Sequence, residues 1–194
     1  MLIHQTDTPG QAILKVKNYL KKSATGKKHK IRFFSISSID LETNTVSSRM
    51  VVLRKFYSDW TVRFYTDHRT NKVSDIKQNP IIALLFWSPG ENLQIRMKAK
   101  AVIHHQNEVC KKEWRNVTGK SQNQYSSEPS PGTILSSPDK LTYRSDKVGS
   151  KYFTVVDCIP FDLQALQLQD TENLALKFHR ENKKSEWQGG WIVP

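Results

Sequence analysis

A chain of 194 residues is long enough for one sizeable core, so a single domain spanning 1–194 is expected. Thirty Lys and Arg against eighteen Asp and Glu give a formal net charge of +12, a field that favours anionic partners such as phosphates, nucleic acid or acidic headgroups. The two cysteines, Cys110 and Cys158, have no nearby pair and read as free thiols rather than as a disulfide or metal site. No stretch approaches the roughly 20 apolar residues of a membrane span. The opening Met1 to Gln5 lacks the charged and apolar regions of a secretion signal, so a cytoplasmic protein without a membrane partner is expected.

In chain order, Thr8-Pro9-Gly10 reads as a helix start, with Ile13, Val16 and Leu20 recurring on one face. Lys27-Lys28-His29-Lys30 beside Gly26 reads as a solvated basic loop. Ile31 to Ile36 suits a first strand, and Asp40 to Thr45 supplies its turn. Further strands are predicted over Ser48–Lys55, Thr61–Thr66 and Ile81–Trp87. The last is almost continuously apolar and so is predicted to be covered on both faces. Between the latter two, Asn71–Gln78 forms a short helix that must end before Pro80.

From Leu93 the sequence alternates strictly, with Leu93, Ile95, Met97, Ala99 and Ala101 on one face and Gln94, Arg96, Lys98 and Lys100 on the other. Residues 106–118 read as a helix with Val109, Trp114 and Val117 inward, and about 119–150 as a long loop rich in Ser, Pro, Lys and Gly. Strand patterns return at Tyr152–Ile159, Phe161–Leu168 and Leu174–Phe178, before the closing Trp187 to Pro194. Several short strands with few helices favour a barrel. His104 and His105 adjoin on a strand without a third ligand, so no metal is expected.

Arg49-Met50-Val51-Val52-Leu53-Arg54 is followed by Phe64-Tyr65-Thr66, Lys72, Asn79-Pro80, Ala83-Leu84-Leu85-Phe86 and Gln94. This order and spacing resembles the flavin-binding half of the pyridoxamine 5'-phosphate oxidase family, over about residues 30–105. The resemblance implies a mainly β (α+β) fold, an antiparallel FMN-binding split β-barrel with a few peripheral helices. It also implies a homodimer with two flavin sites at its interface. By the same resemblance the FMN ligands are Arg49, Met50, Val51, Val52, Leu53, Arg54, Tyr65, Thr66, Asn71, Lys72, Gln94 and Lys177. Its chemistry is physically apt: a phosphate dianion needs a guanidinium fork and a point charge, and Arg49 with Lys72 supplies both. The backbone around Tyr65-Thr66 is implied to meet the flavin or its tail. Gln94 is implied to donate to the ring, and Arg54 stands where the family has lysine near it. Arg49 and Arg54 are five residues apart and face opposite sides of a regular strand, so a bulge or strong twist is required if both touch one flavin.

The chain departs from the family pattern at several points. Asn71-Lys72 stands in place of an Arg-Lys pair, with Arg69 a candidate substitute; Trp114-Arg115-Asn116 through Ser130-Pro131-Gly132-Thr133 replaces the helix and loop of substrate ligands; and Asn173 to Lys177 replaces an Arg-x-x-x-Arg. Two readings follow from the resemblance: an FMN-dependent oxidoreductase acting on an unidentified small substrate, and a non-catalytic flavin-binding module for storage or sensing. A basic nucleic-acid-binding barrel is the third and least supported, and it predicts steep salt dependence.

Overall fold

A computed structural model of the chain describes residues 1–25, 30–144 and 149–194. Most of the basic loop, Lys27-Lys28-His29, lies outside the described residues. Helix α1 (Pro9–Thr25) begins where Thr8 and Gln11 cap one another: Gln11 N–H donates to Thr8 Oγ1 at 3.3 Å and Thr8 N–H to Gln11 Oε1 at 2.8 Å. Its buried stripe is Ala12, Val16 and Leu20, while Ile13 is only partly buried.

The strands are β1 (Phe33–Asp40), β2 (Thr45–Val52), β3 (Lys55–Phe56), β4 (Val62–Asp67), β5 (Ile81–Ser88), β6 (Leu93–His105), β7 (Phe153–Gln167), β8 (Leu174–His179) and β9 (Gln188–Ile192), all in antiparallel pairs. The sheet runs β2-β1-β5-β6-β7-β4-β3, with β8 and β9 branching from β7. Its two ends are joined covalently. Leu53 N–H donates to Arg32 O at 2.7 Å and Arg54 N–H to Arg63 O at 2.8 Å, so within one dipeptide the chain leaves β1 and takes β4 as its partner. This switch closes the barrel. It replaces the continuous strand expected over Ser48–Lys55.

Strand β7 spans what reads in sequence as two strands. Its whole length pairs with β6, whereas its other edge pairs first with β4 and then with β8. At the split, Lys98 faces Asp162 and Ala99 faces Pro160, leaving Phe161 as the extra residue of a bulge. Pro160 has no N–H to give to a ladder, which suits it to that place.

One row of the closed sheet fills the core: Val51, Phe34, Phe86, Ile95, Ala165 and Leu176 lie opposite one another in register or close to it, and all are buried. Phe34 and Phe86 stack at 4.4 Å. Strand β5 is not covered on both faces. Its side chains alternate, and Ile81, Ala83, Leu85 and Trp87 lie on an outer face with Trp87 43% and Leu85 41% exposed. A continuous apolar run signals burial, and here half of it faces outward from the chain.

The segment after β6 is a second layer rather than a bare loop. It holds α3 (Glu108–Trp114), α4 (Lys120–Asn123) and α5 (Gly149–Tyr152), and α2 (Asn71–Gln78) lies earlier, beyond β4. Ser127 and Tyr143 form an antiparallel bridge across the segment. Cys110, Val117, Tyr125, Phe153 and Val155 form a smaller core under it, with Tyr65, Val109 and Trp114 against it. Helix α3 turns Cys110 and Glu113 inward.

Candidate functional site

The closing dipeptide sets the geometry of the conspicuous cations. Arg49 lies opposite the buried Ile36, so it points inward at the barrel's rim. There its Nη1 donates to Ser38 Oγ at 2.7 Å and to Ser47 O at 2.8 Å, and its Nη2 meets Asp75 Oδ2 of α2 at 3.2 Å. Ser38 Oγ donates to the same Asp75 oxygen at 2.7 Å. Lys72, in the first turn of α2, donates to Thr66 Oγ1 at 3.0 Å. Burial lowers the Lys72 pKa and the nearby positive Arg49 lowers it further, while Asp67 and Asp75 act in the opposite sense. Thr66 thus holds Lys72, and Lys72 lies close enough to Arg49 to feel its charge.

Arg54 belongs to the other layer. Its guanidinium lies 5.2 Å from the centre of the Tyr65 ring. The Tyr65 hydroxyl donates to Glu113 Oε2 at 2.6 Å, and Glu113 Oε1 accepts from Lys55 Nζ at 2.6 Å and Arg63 Nη1 at 2.7 Å. Arg63 also forks onto Asp157, at 2.7 Å through Nε and through Nη2. Burial pushes the Tyr65 pKa up and the bond to Glu113 adds to it, so the phenol stays a donor. Burial works against the Glu113 carboxylate, yet the bonds from Lys55 and Tyr65 and the charges of Lys55 and Arg63 leave its pKa below the ordinary value.

Of the remaining expected ligands, Val51 and Leu53 are core residues, so only their backbone is open to a ligand. Val52 is half-buried, opposite Phe33; Met50, opposite Ser35, is 62% exposed; and Asn71 is exposed at the start of α2. Gln94 pairs with Trp87 and Leu166, and Lys177 with Gln164 and Gly190, both on the outer face of the sheet. There Leu85, Arg96, Lys98, Gln164 and Lys177 line a cavity of about 400 Å³, and Arg96 donates to Gln164. The twelve residues therefore do not converge within one chain. Arg49, Lys72 and Thr66 gather at the rim, Arg54 and Tyr65 under α3, and Gln94 and Lys177 on the outer face.

Arg69, the candidate substitute for the missing arginine, is engaged within the chain. It is held by Asp67 through Nη2–Oδ2 at 2.8 Å and Nε–Oδ1 at 3.1 Å, donates to Ser127 O at 2.8 Å, and lies 3.8 Å from the Tyr152 ring centre. It fastens the long segment to β4. His104 binds Asp157 Oδ2 at 3.1 Å, and His105 stacks on His68 at 3.5 Å. No group of three or more metal-ligating side chains occurs among the described residues.

The rim cluster suits a phosphate monoester: Lys72, bonded to the Thr66 hydroxyl, lies within reach of the charge of Arg49, and an ammonium beside a guanidinium can bind such a dianion. Ser38 and Asp75, which hold Arg49, were not evident from sequence, because they reach it from another strand and from a helix.

Residues 14–105 match the family model described as pyridoxamine 5'-phosphate oxidase, FMN-binding domain. The pyridoxine/pyridoxamine 5'-phosphate oxidase of Rippkaea orientalis is 38% identical over 55 residues, 28% of this chain and 26% of that protein. The chain spans no more than about a third of the curated relatives it matches, 31% and 26%. Two solved structures cover 98% of the chain at a TM-score of 0.72 each. One is a pyridoxamine 5'-phosphate oxidase-related, FMN binding protein of Nostoc punctiforme, 20% identical and covered in full. The other is PhzG of Burkholderia lata in complex with tetrahydrophenazine-1-carboxylic acid, 14% identical and 95% covered. At such identities the likeness is one of fold. In sequence over residues 14–105, and in its split-barrel fold over nearly the whole length, the chain resembles the pyridoxamine 5'-phosphate oxidase-related, FMN-binding proteins.

Proposed function

We propose that this protein binds FMN and acts as an oxidoreductase on a small substrate, as a homodimer with its flavin sites at the interface. The observation that carries this reading is the cluster of Arg49, Lys72 and Thr66 at the rim, within the segment matching an FMN-binding domain. Arg49 and Lys72 would hold the FMN phosphate, and the backbone of residues 50–53 would run beside the flavin. Bound flavin supplies two-electron redox chemistry, so no nucleophile or acid-base pair is required of the chain. The residues' own work is to bind, orient and exclude water. A second copy is needed because Gln94 and Lys177 lie on the outer face, away from Arg49, and that face carries exposed Met50, Leu85 and Trp87. A partner covering it would bring its own Gln94 and Lys177 to the flavin.

A non-catalytic flavin carrier is the second reading. It is favoured by the place of Trp114, in the segment that replaces the family's substrate ligands: Trp114 packs on Tyr125 and Phe153.

The test is an absorbance spectrum from about 300 to 550 nm before and after loading with FMN and desalting. Retained flavin is expected, lost in the Arg49→Ala/Lys72→Ala double variant. A folded wild-type protein that keeps no FMN overturns both flavin readings and leaves nucleic-acid binding to be examined by its salt dependence. If flavin is retained, oxygen consumption across a substrate panel separates the oxidoreductase from the carrier.

A further inference from the structure

We infer that Glu113 of α3 is a positioning residue for the flavin site, holding Arg54 in place through the Tyr65 ring and through Lys55. The inference rests on the FMN reading and adds to it a link from the second layer to the cofactor.

Glu113 is 1% exposed, and each carboxylate oxygen has a task. Oε1 draws in Lys55 from β3 and Arg63 from β4, and Oε2 takes the Tyr65 hydroxyl. The carboxylate therefore grips the residue after Arg54 and the ring beneath it. Arg54 itself differs from its neighbours. Lys55 and Arg63 each bind a carboxylate, whereas among the described residues no salt bridge reaches Arg54. Its charge lies over the Tyr65 ring, 5.2 Å from the ring centre, a cation–π contact that leaves its N–H donors without a carboxylate among the described residues. Its backbone is fixed too, since Arg54 N–H makes the bond to Arg63 O that closes the barrel. The family resemblance puts residue 54 near the flavin ring; a guanidinium there would stabilise negative charge on reduced flavin only while the Tyr65 ring that carries it stays in place.

The network could instead be purely structural, serving only to fix α3 on the sheet. The two roles differ in what the flavin feels. A structural role alters unfolding, whereas a positioning role alters the energy of reduced relative to oxidised flavin.

The experiment measures FMN affinity, the midpoint potential of bound flavin and thermal unfolding for the wild-type protein and for Tyr65→Phe, Glu113→Gln and the double variant. Tyr65→Phe keeps the ring and leaves Glu113 bonded to Lys55 and Arg63, so it carries the test even if Glu113→Gln fails to fold. Each single variant is expected to shift the potential to more negative values and to weaken binding by up to roughly tenfold. The double variant is expected to be no worse than the more affected single one, because the bond removed by Tyr65→Phe is one of those that Glu113→Gln already weakens. Unchanged potential and affinity, or additive losses, with FMN still bound to the wild-type protein, overturn the positioning role and leave the FMN reading intact. A wild-type protein that binds no FMN overturns both.

Discussion

His68 and His105 stack face to face at 3.5 Å, with Thr154 Oγ1 3.2 Å from His105 Nδ1 and Lys77 Nζ 3.4 Å from His68 Nε2. Burial lowers the His68 pKa, and His105 and Lys77 lower it further; burial likewise lowers that of His105, partly opposed by a bond at Phe153. In the unfolded chain both imidazoles take up protons near pH 6.5, but in the folded chain only at lower pH. Between those values the unfolded state binds more protons, so the stabilisation from the neutral pair is present above about pH 6.5 and is lost as pH falls through the folded-state values. Urea denaturation at pH 7.5 and 5.5 should show this fall, and His105→Gln should make it shallower. An unaltered slope in that variant would place the titration elsewhere. From sequence the histidines at 104 and 105 offered only the absence of a third metal ligand. His68 meets His105 through the pairing of β6 and β4 with β7, a long-range closure that local spacing does not reveal.

Among the elements, those governed by local rules were legible. Helix α2 spans Asn71–Gln78 as its pattern and Pro80 require, and β6 alternates as its sequence does. Pro160 misled: it reads as a break between two strands, yet it sits at a bulge inside β7, where no N–H is called for. Glu113 and Asp75 escaped notice for a related reason, since their partners lie 48 and 26 residues away along the chain. Strand β9 depends on one residue. A Cβ on Gly189 would lie 2.0 Å from Lys177 O and 2.7 Å from Phe178 Cα, both backbone atoms, so neither can yield as a side chain would. Gly189→Ala should therefore part β9 from β8. Hydrogen exchange should show faster exchange of the β8 and β9 amides in that variant, and unchanged protection would contradict the close approach.

At the scale of the whole molecule, the outer sheet face and the scattered ligands make one argument. Leu85 is 41% exposed, so replacing it should not disturb the core. If the homodimer forms through that face, the wild-type protein sediments at about twice 22.4 kDa and Leu85→Glu as a monomer that has also lost most of its FMN affinity. A wild-type monomer that binds FMN tightly would refute the shared site. The fold was readable because alternation and strand count speak for a barrel. The site was readable only as a set of residues, because which of them meet depends on register, and on whether a second chain brings the rest.

The switch of partners at Leu53-Arg54 has a bearing on solubility. An open sheet ends in two strands whose free N–H and C=O groups invite foreign strands to add on. Here the two ends are one bent segment, so at Leu53-Arg54 the chain bonds to both sides of the sheet, though β2 pairs only with β1 and β3 only with β4; β9 at the end of the branch is short and carries Gly189 and Gly190. A nick between residues 52 and 55 would remove no core side chain, yet it would free the margins of β2 and β3 to part at the point where the barrel closes. The expected result is self-association through those margins rather than simple unfolding.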